Sequence, residues 1–432
     1  MSYRVLVVLD PQFSRALVRD SYGCIDWVTH DYPALLAADL LDSPTLCGFV
    51  FPGQSGHLVA QRPGFVPVRL HEKVWMSKTA AGSRLIPVTH KLLFWLRIRH
   101  KGITVEFMKF ENFRDILISP NSDFKQTFQQ YHSVCGGLDL MVDPRQAGGW
   151  GSSAQLQQYI YGLQMLESIV PVWPPSREIL RASIKFNVII NLDQIASRMV
   201  NSPRPRTTLL SRNDVSQSFA GWILKREGSD CNRHVLLPGK VDPLNLPPDC
   251  GHFRWLKQSY VPTLRKLGEW RIILVDCLPL WVVHTAPGNR REELVFLHRD
   301  AGRPSLRIRE PYVFDDIMDP VGGTCSERRQ ADQELESFAT TVLSQLIEVE
   351  EDLLGAPSSL RLMVRLDIGV MHGPDGQLGY FINEVERGVG IGLFTAGNPR
   401  WTLRLADEFG CSFSKWMTKT CLAMERLIEP VT

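Results

Sequence analysis

Hydrophobic and polar positions along this chain change period from segment to segment, and the period predicts each element. Residues 4–9 are a β-branched and leucine run that stops at Asp10-Pro11, the pattern of a buried opening strand. Residues 34–41 carry helical spacing, and 46–51 read as a second apolar strand. Residues 66–70 and 103–107 read as further strands, with a short amphipathic helix over 91–100 between them. Such alternation predicts a small α/β unit at the start of the chain. Glycines then cluster at Gly136-Gly137 and at Gly148-Gly149-Trp150-Gly151, marking a loop or boundary.

Helical spacing returns over 153–170 and stops at Pro171, Pro174 and Pro175. Ser176 is placed to cap a helix with Ile179, Leu180 and Ile184 as its buried stripe, and 191–200 continues helical up to Pro203-Arg204-Pro205. Past Thr207 the texture turns to strands. Residues 222–226 alternate, Glu227-Gly228-Ser229-Asp230 is a polar loop, and 234–237 read as a return strand. Residues 270–275 and 280–285 predict one hairpin, and 362–369 with 378–385 a second, around Pro374-Asp375-Gly376. Between the hairpins, 332–354 is the clearest amphipathic helix, with Leu335, Phe338, Val342, Leu346 and Val349 on one face.

At 432 residues the chain is too long for one small core and predicts two or three packed units. Hydrophobic residues at 44% and charged residues at 22% let it bury real cores and argue against disorder. Lys+Arg and Asp+Glu number 48 and 46, so the net charge of +2 gives no reason to expect a polyanion partner. No basic stripe interleaves with aromatics, which argues against nucleic acid. No apolar run approaches the roughly 18–20 residues of a spanning helix, and the opening MSYRVLVVLD does not read as a secretory signal. The nine cysteines show neither CxxC nor His-rich spacing, so neither a disulfide framework nor a zinc site is signalled, and a reduced, cytoplasmic compartment is expected.

The second hairpin carries the candidate chemistry. With its turn centred on Asp375-Gly376, Asp367 falls opposite Glu384 and Arg365 opposite Glu386. Residues two apart share a face, so three carboxylates and a guanidinium gather on one patch. A one-residue bulge would destroy that pairing. Crowded carboxylates require a neutralising cation, and oxygen donors suit Mg²⁺. Taken alone, a solvated face with Arg365 paired to Glu386 explains the same residues. Leu366, Ile368 and Ile382 fall on the opposite face, and Arg387-Gly388-Val389-Gly390-Ile391-Gly392 follows as a turn that lets a backbone approach a ligand closely.

Arg365-Leu366-Asp367, the hairpin, Phe381-Ile382-Asn383-Glu384-Val385-Glu386 and the glycine-rich turn together resemble the C-terminal site of the ATP-grasp superfamily. That family typically has Glu-x-Asn on the second strand. This chain has Glu-x-Glu, with Asn383 displaced by one position, so Asn383 and Glu386 both stand as second-strand ligands and strand parity favours Glu386. Three upstream segments match in the same order. Trp222-Ile223-Leu224-Lys225-Arg226 with Gly228-Ser229-Asp230 resembles the phosphate-binding lysine strand and its flap. Residues Lys257, Gln258, Tyr260 and Val261 fall in a segment like the one whose backbone reads adenine. Glu269-Trp270-Arg271 resembles the Gly-Glu-x-Arg strand, which implies Glu269 near ribose and Arg271 near phosphate. Lys185 is the candidate for an earlier phosphate lysine, although a lysine on an amphipathic helix has a plain structural explanation.

The resemblance covers roughly residues 155–430. It implies an N-terminal α/β domain over 1–150, then an ATP-grasp fold of two α+β subdomains over 151–260 and 261–432. It also implies ATP and Mg²⁺ as cofactors, with Asp367, Glu384 and Glu386 as metal ligands, and Lys185, Lys225, Ser229, Lys257, Gln258, Tyr260, Val261 and Glu269 around the nucleotide. Arg365 and Arg271 would act on the transferring phosphoryl group, and Arg387 would border the acceptor pocket. The activity implied is ligation of a small-molecule carboxylate to an amine through an acylphosphate. The alternatives are a small-molecule kinase of the same fold, kept open by the positives between Arg290 and Arg309, and a non-catalytic nucleotide-binding scaffold. Neither a membrane nor a nucleic-acid partner is expected, and oligomeric state stays open with a homodimer one option. If carboxylate repulsion dominates the patch, Asp367→Asn or Glu384→Gln is expected to leave the fold nearly as stable.

Overall fold

A computed structural model describes residues 3–9, 16–19, 25–28, 74–78, 85–89, 94–95, 97–98, 101–120, 123–136, 153–210, 219–227, 235–238, 254–287, 294–300, 325–388 and 399–428. Helices and strands mix over several sheets, an α/β architecture as the sequence predicts. The chain forms two compact units, one of Met1–Leu138, Ala154–Ser176 and Gly388–Thr432, the other of Asp139–Ser153 and Arg177–Arg387. The predicted elements over 34–41, 46–51 and 66–70 lie outside the described residues.

In the first unit, β1 (Tyr3–Leu9) pairs with two later strands in a parallel sheet. The antiparallel pairs β2 (Ala16–Arg19) with β3 (Ile25–Val28), and β4 (Val74–Lys78) with β5 (Leu85–Thr89), stand as two-stranded sheets. The parallel sheet continues through β6 (Ile103–Lys109), β7 (Ser133–Gly136) and β8 (Val172–Trp173), in the order β6-β1-β7-β8. Val5, Leu6, Val7 and Val8 are all buried, which is why the opening strand reads as a continuous apolar run: both of its faces are covered. Gly136 is required there, since its φ is +111° and a Cβ would sit 2.4 Å from the Val8 carbonyl. An aromatic cluster of Phe94, Trp95, Trp173, Phe409 and Phe413 forms the core against the C-terminal helix Pro399–Ile428.

The second unit holds two antiparallel sheets. The smaller contains β9 (Thr207–Leu209), β10 (Trp222–Arg226), β11 (Val235–Leu236) and β12 (Trp255–Ser259), in the order β11-β10-β12-β9. The larger contains β13 (Glu269–Val275), β14 (Leu278–Pro287), β15 (Leu294–Asp300), β16 (Met363–His372) and β17 (Leu378–Arg387), in the order β15-β14-β13-β16-β17. One face of the larger sheet presents Trp270, Ile272, Leu274, Val364, Leu366, Ile368, Val370 and Ile382 to Leu335, Ala339, Val342, Leu343 and Leu346 of the helix Cys325–Leu354. Leu192 and Ile195 of the helix Lys185–Ala196 join the same core. Covering one face with apolar side chains leaves the other for polar chemistry.

The β16–β17 hairpin reaches its predicted pairing by an unpredicted route. His372 pairs with Leu378, so the loop has five residues and is centred on Asp375. Gly373 N–H donates to the Gln377 carbonyl at 2.7 Å, and Gly376 takes φ +78°. Continued regularly, that register would set Asp367 opposite Asn383 and Arg365 opposite Val385. Instead the register shifts between Asp367 and Ile368, leaving Asn383 without a facing residue. Asp367 then faces Glu384 and Arg365 faces Glu386. The bulge thus restores the pairing that the five-residue loop would have lost.

Candidate active site

The charged face of the larger sheet is assembled from three adjacent strands. Register pairs Arg271 with Asp367 across β13–β16, and Asp367 with Glu384 across β16–β17. Arg365 grips Asp367 with both ends of its fork, Nε to Oδ1 at 2.7 Å and Nη2 to Oδ2 at 3.0 Å. Arg271 Nη1 stands 3.7 Å from Asp367 Oδ2, and its Nη2 donates to Glu269 Oε2 at 2.8 Å. Arg365 also reaches Glu386, 3.6 Å away. Because two successive residues at a bulge can share a side of the sheet, Asn383 joins this face, and its Nδ2 donates to Glu269 Oε1 at 2.6 Å.

Lysines act on the same carboxylates. Burial alone would raise the Glu384 carboxyl, but Lys185, Lys225, Arg365 and Arg271 outweigh it and hold Glu384 below the ordinary range. Lys225, on β10 of the smaller sheet, is lowered by burial against the pull of Glu384 and Glu269. Glu386 goes the other way. Burial, helped by Glu384 and Asp367 and opposed by Arg365, pushes it up to about 7. Glu269 is raised as well, by burial first and then by Asp367. Four cationic side chains therefore act on Glu384, and with Glu269, Asp367 and Glu386 on the same face the cations and carboxylates there are balanced.

The metal assignment does not fit this arrangement. Both oxygens of Asp367 are held by Arg365, so the patch is neutralised from within the chain. Asn383 leaves one buried amide oxygen without a partner, but a single oxygen is no coordination set. Among the described residues, no group of three or more His, Cys, Asp or Glu side chains is disposed to hold an ion. The expectation of Mg²⁺ as the neutralising cation is what this geometry does not fit: the Arg365 guanidinium balances Asp367.

Two further predicted residues stand elsewhere. Arg387 pairs with Val364 in the register, which places it on the opposite face from Arg365. There it donates to Glu178 Oε1 at 2.6 Å and to both oxygens of Glu350, in a buried network where the Ser359 amide also donates to Glu178 at 2.7 Å. Strand parity one residue beyond Glu386 was the available signal. Lys257 pairs with Leu224, so it faces away from Lys225, and its ammonium lies 5.5 Å from the Phe219 ring centre and 4.7 Å from that of Trp222.

Gln258 shares the Lys225 face and donates to Thr207 Oγ1 at 2.9 Å. The Tyr260 amide donates to the Gly221 carbonyl at 2.8 Å, and the Val261 carbonyl accepts from Leu264 at 3.2 Å. Ser229, Arg290, Arg291 and the turn 389–392 lie outside the described residues. One residue that sequence reasoning passed over is Arg204, whose fork joins Asp193 to the Ile382 carbonyl beside the bulge.

No protein-family model matches the chain. No curated protein matches it. Among solved structures it is similar to the D-cycloserine synthetase DcsG, at 13% identity over 75% of this chain and 93% of that one, with a TM-score of 0.44. It is similar to the ATP-grasp ligase PsnB complexed with minimal precursor, at 11% identity over 75% and 95% of the two chains and a TM-score of 0.40. A third is N5-carboxyaminoimidazole synthetase from Staphylococcus aureus complexed with ADP, at 8% identity over 71% and 69% and a TM-score of 0.38.

Proposed function

We propose that this chain is an ATP-dependent ligase of ATP-grasp type that joins a small-molecule carboxylate to an amine. One observation carries the reading: the register of β13, β16 and β17 gathers Arg271, Arg365, Asp367 and Glu384 on one face, and the pull of Lys225 from the smaller sheet and of Lys185 reaches the same Glu384. A triphosphate needs positive side chains drawn from rigid elements, and here two strands of one sheet and one of the other supply three of them.

In the proposed reaction a carboxylate oxygen of the substrate attacks the γ-phosphorus of ATP, the bond to the β-phosphate oxygen breaks, and ADP leaves. The amine then attacks the acyl carbon, loses a proton, and inorganic phosphate departs. Lys225 and Arg271 offset charge on the phosphoryl oxygens as the bond to ADP breaks. Arg365, held by Asp367 and close to Glu386, adds positive charge to the face on which developing acylphosphate charge would be balanced. Glu269, fixed by Arg271 and Asn383, orients the nucleotide. Mg²⁺, which the resemblance implies, finds no fitted set of ligands here, and no step is routed through it.

The test is to incubate the purified chain with ATP, Mg²⁺ and panels of carboxylates and amines, measuring ADP release and analysing products by mass. ADP formed only with both substrates, together with an amide product, supports the ligase. A phosphorylated hydroxyl product would select the kinase alternative. ATP binding with a thermal shift but no turnover would leave the non-catalytic nucleotide-binding scaffold, and absence of ATP binding would remove both enzyme readings.

A further inference from the structure

Residues 201–204 run along the open edge of β17, the last strand of its sheet. The Asn201 carbonyl and Pro203 approach Gly379 so closely that a Cβ there would lie 2.1 and 2.4 Å from them. Ser202 Oγ donates to the Tyr380 carbonyl at 3.3 Å, and Arg204 Nη1 donates to the Ile382 carbonyl. Tyr380 and Ile382 are two apart, so their carbonyls point to the same side, the edge. Pro203 and Pro205 have no N–H with which to extend the ladder. Side chains on the residues before each proline supply the donors instead, and the edge is covered.

The Ile382 carbonyl lies in the same rigid peptide plane as the amide of Asn383, and Asn383 is the bulged residue. Holding that carbonyl holds the peptide that opens the bulge. Arg204 is itself anchored, Nε to Asp193 Oδ1 at 2.8 Å, and its side chain is only 10% exposed. A guanidinium fork satisfies both partners at once, whereas an ammonium has no such planar reach.

We propose that Arg204 is a positioning residue for the charged face. By fixing the Ile382–Asn383 peptide it sets the bulge that turns Asn383, Glu384 and Glu386 toward Arg271 and Asp367. It acts through β17 and does not touch the reacting atoms. The inference rests on the ligase reading only for what that face does, since the bulge can be followed without any substrate.

The experiment compares the wild-type chain with Arg204→Ala, Arg204→Lys, Asp193→Asn and Ser202→Ala. It measures amide hydrogen exchange over residues 380–387 and, separately, ATP-dependent turnover. Arg204→Ala is expected to speed exchange at residues 383–386 by about tenfold or more while β13 keeps its protection. It should also lower kcat by about a hundredfold with KM for ATP changed by less than about threefold. Asp193→Asn should move both readouts in the same direction by less, Arg204→Lys should recover part of the loss, and Ser202→Ala, one peptide earlier on the same edge, should match wild type. Unchanged exchange in both Arg204→Ala and Asp193→Asn overturns the proposal, as does an equal effect in Ser202→Ala. Should Arg204→Ala fail to fold, Arg204→Lys and Asp193→Asn decide it by the same exchange readout. No turnover in the wild-type chain would remove the ligase reading, while the exchange comparison would still decide the role of Arg204.

Discussion

Arg365 and Asp367 lie two positions apart on β16 and meet as a bidentate pair, with side chains 5% and 2% exposed. The pair is the reverse of uncompensated repulsion. Each charge is tolerable in so dry a place because the other is there, and both are committed before any ligand arrives.

Asp367→Asn is therefore expected to destabilise the fold, contrary to the relief of repulsion that the sequence pattern suggests. Stranding the Arg365 guanidinium should cost about 3 kcal/mol or more in urea unfolding. Replacing both residues with apolar ones of similar size should recover most of that loss while abolishing turnover. Wild-type stability in the single variant would show that the pair is not buried as described.

Arg387 anchors the end of β17 to Glu178 and Glu350, all three largely buried. Arg387→Ala leaves two buried carboxylates without their cation, and a loss of about 3–5 kcal/mol in denaturant titration is expected. Its affinity for ATP, measured by calorimetry on the folded fraction, should stay close to wild type. A selective loss of ATP affinity at full stability would return Arg387 to the substrate site.

Glu386 and Glu384 make opposite contributions to the pH dependence of stability. The Glu386 carboxyl, at about 7 in the folded chain against an ordinary 4.5, binds its proton more tightly when folded. Its stabilising contribution is complete below the ordinary value and lost as pH rises toward 7. Glu384, held low, contributes above the ordinary value and loses that contribution as pH falls. Melting curves of Glu386→Gln and wild type across pH 4.5 to 7 should show the wild-type advantage shrinking as pH rises. A constant difference would contradict the raised carboxyl.

Lys225→Ala should weaken ATP binding by about tenfold or more, the worth of a charge-assisted contact. It should also raise the Glu384 carboxyl, visible as an upward shift in its carboxyl titration by NMR. ATP affinity equal to wild type would exclude Lys225 from the nucleotide site.

Mg²⁺ alone is expected to leave the melting temperature unchanged, because Arg365 already occupies both oxygens of Asp367. A clear rise with Mg²⁺ in the absence of nucleotide would mean that the pair opens readily and that the acidic patch does collect an ion.

Much of this was legible from local pattern. The two hairpins, the Lys225 strand and the one-sided larger sheet follow from alternation and turn residues, whereas the pairing of Asp367 with Glu384 and of Arg365 with Glu386, though expected, is reached through a five-residue loop and a bulge that strand parity does not contain. The C-terminal helix was overlooked although Leu405, Phe409, Phe413 and Met417 recur at four-residue spacing, a helical stripe in plain view. Lys257 could not be placed without knowing that β12 sets Leu256, and not Lys257, opposite Lys225.

The order of residues along the chain by itself determined which side chains could share a face, because a strand's period of two is a local property of its backbone. Which partner neutralised each charge was decided only by tertiary structure. The fork of Arg365 on Asp367, the turning of Arg387 toward Glu178 and Glu350, and the bulge at Asn383 with Arg204 at its edge all depend on register and burial. Those are set by the sum of contacts across distant segments, and no short stretch of sequence contains them.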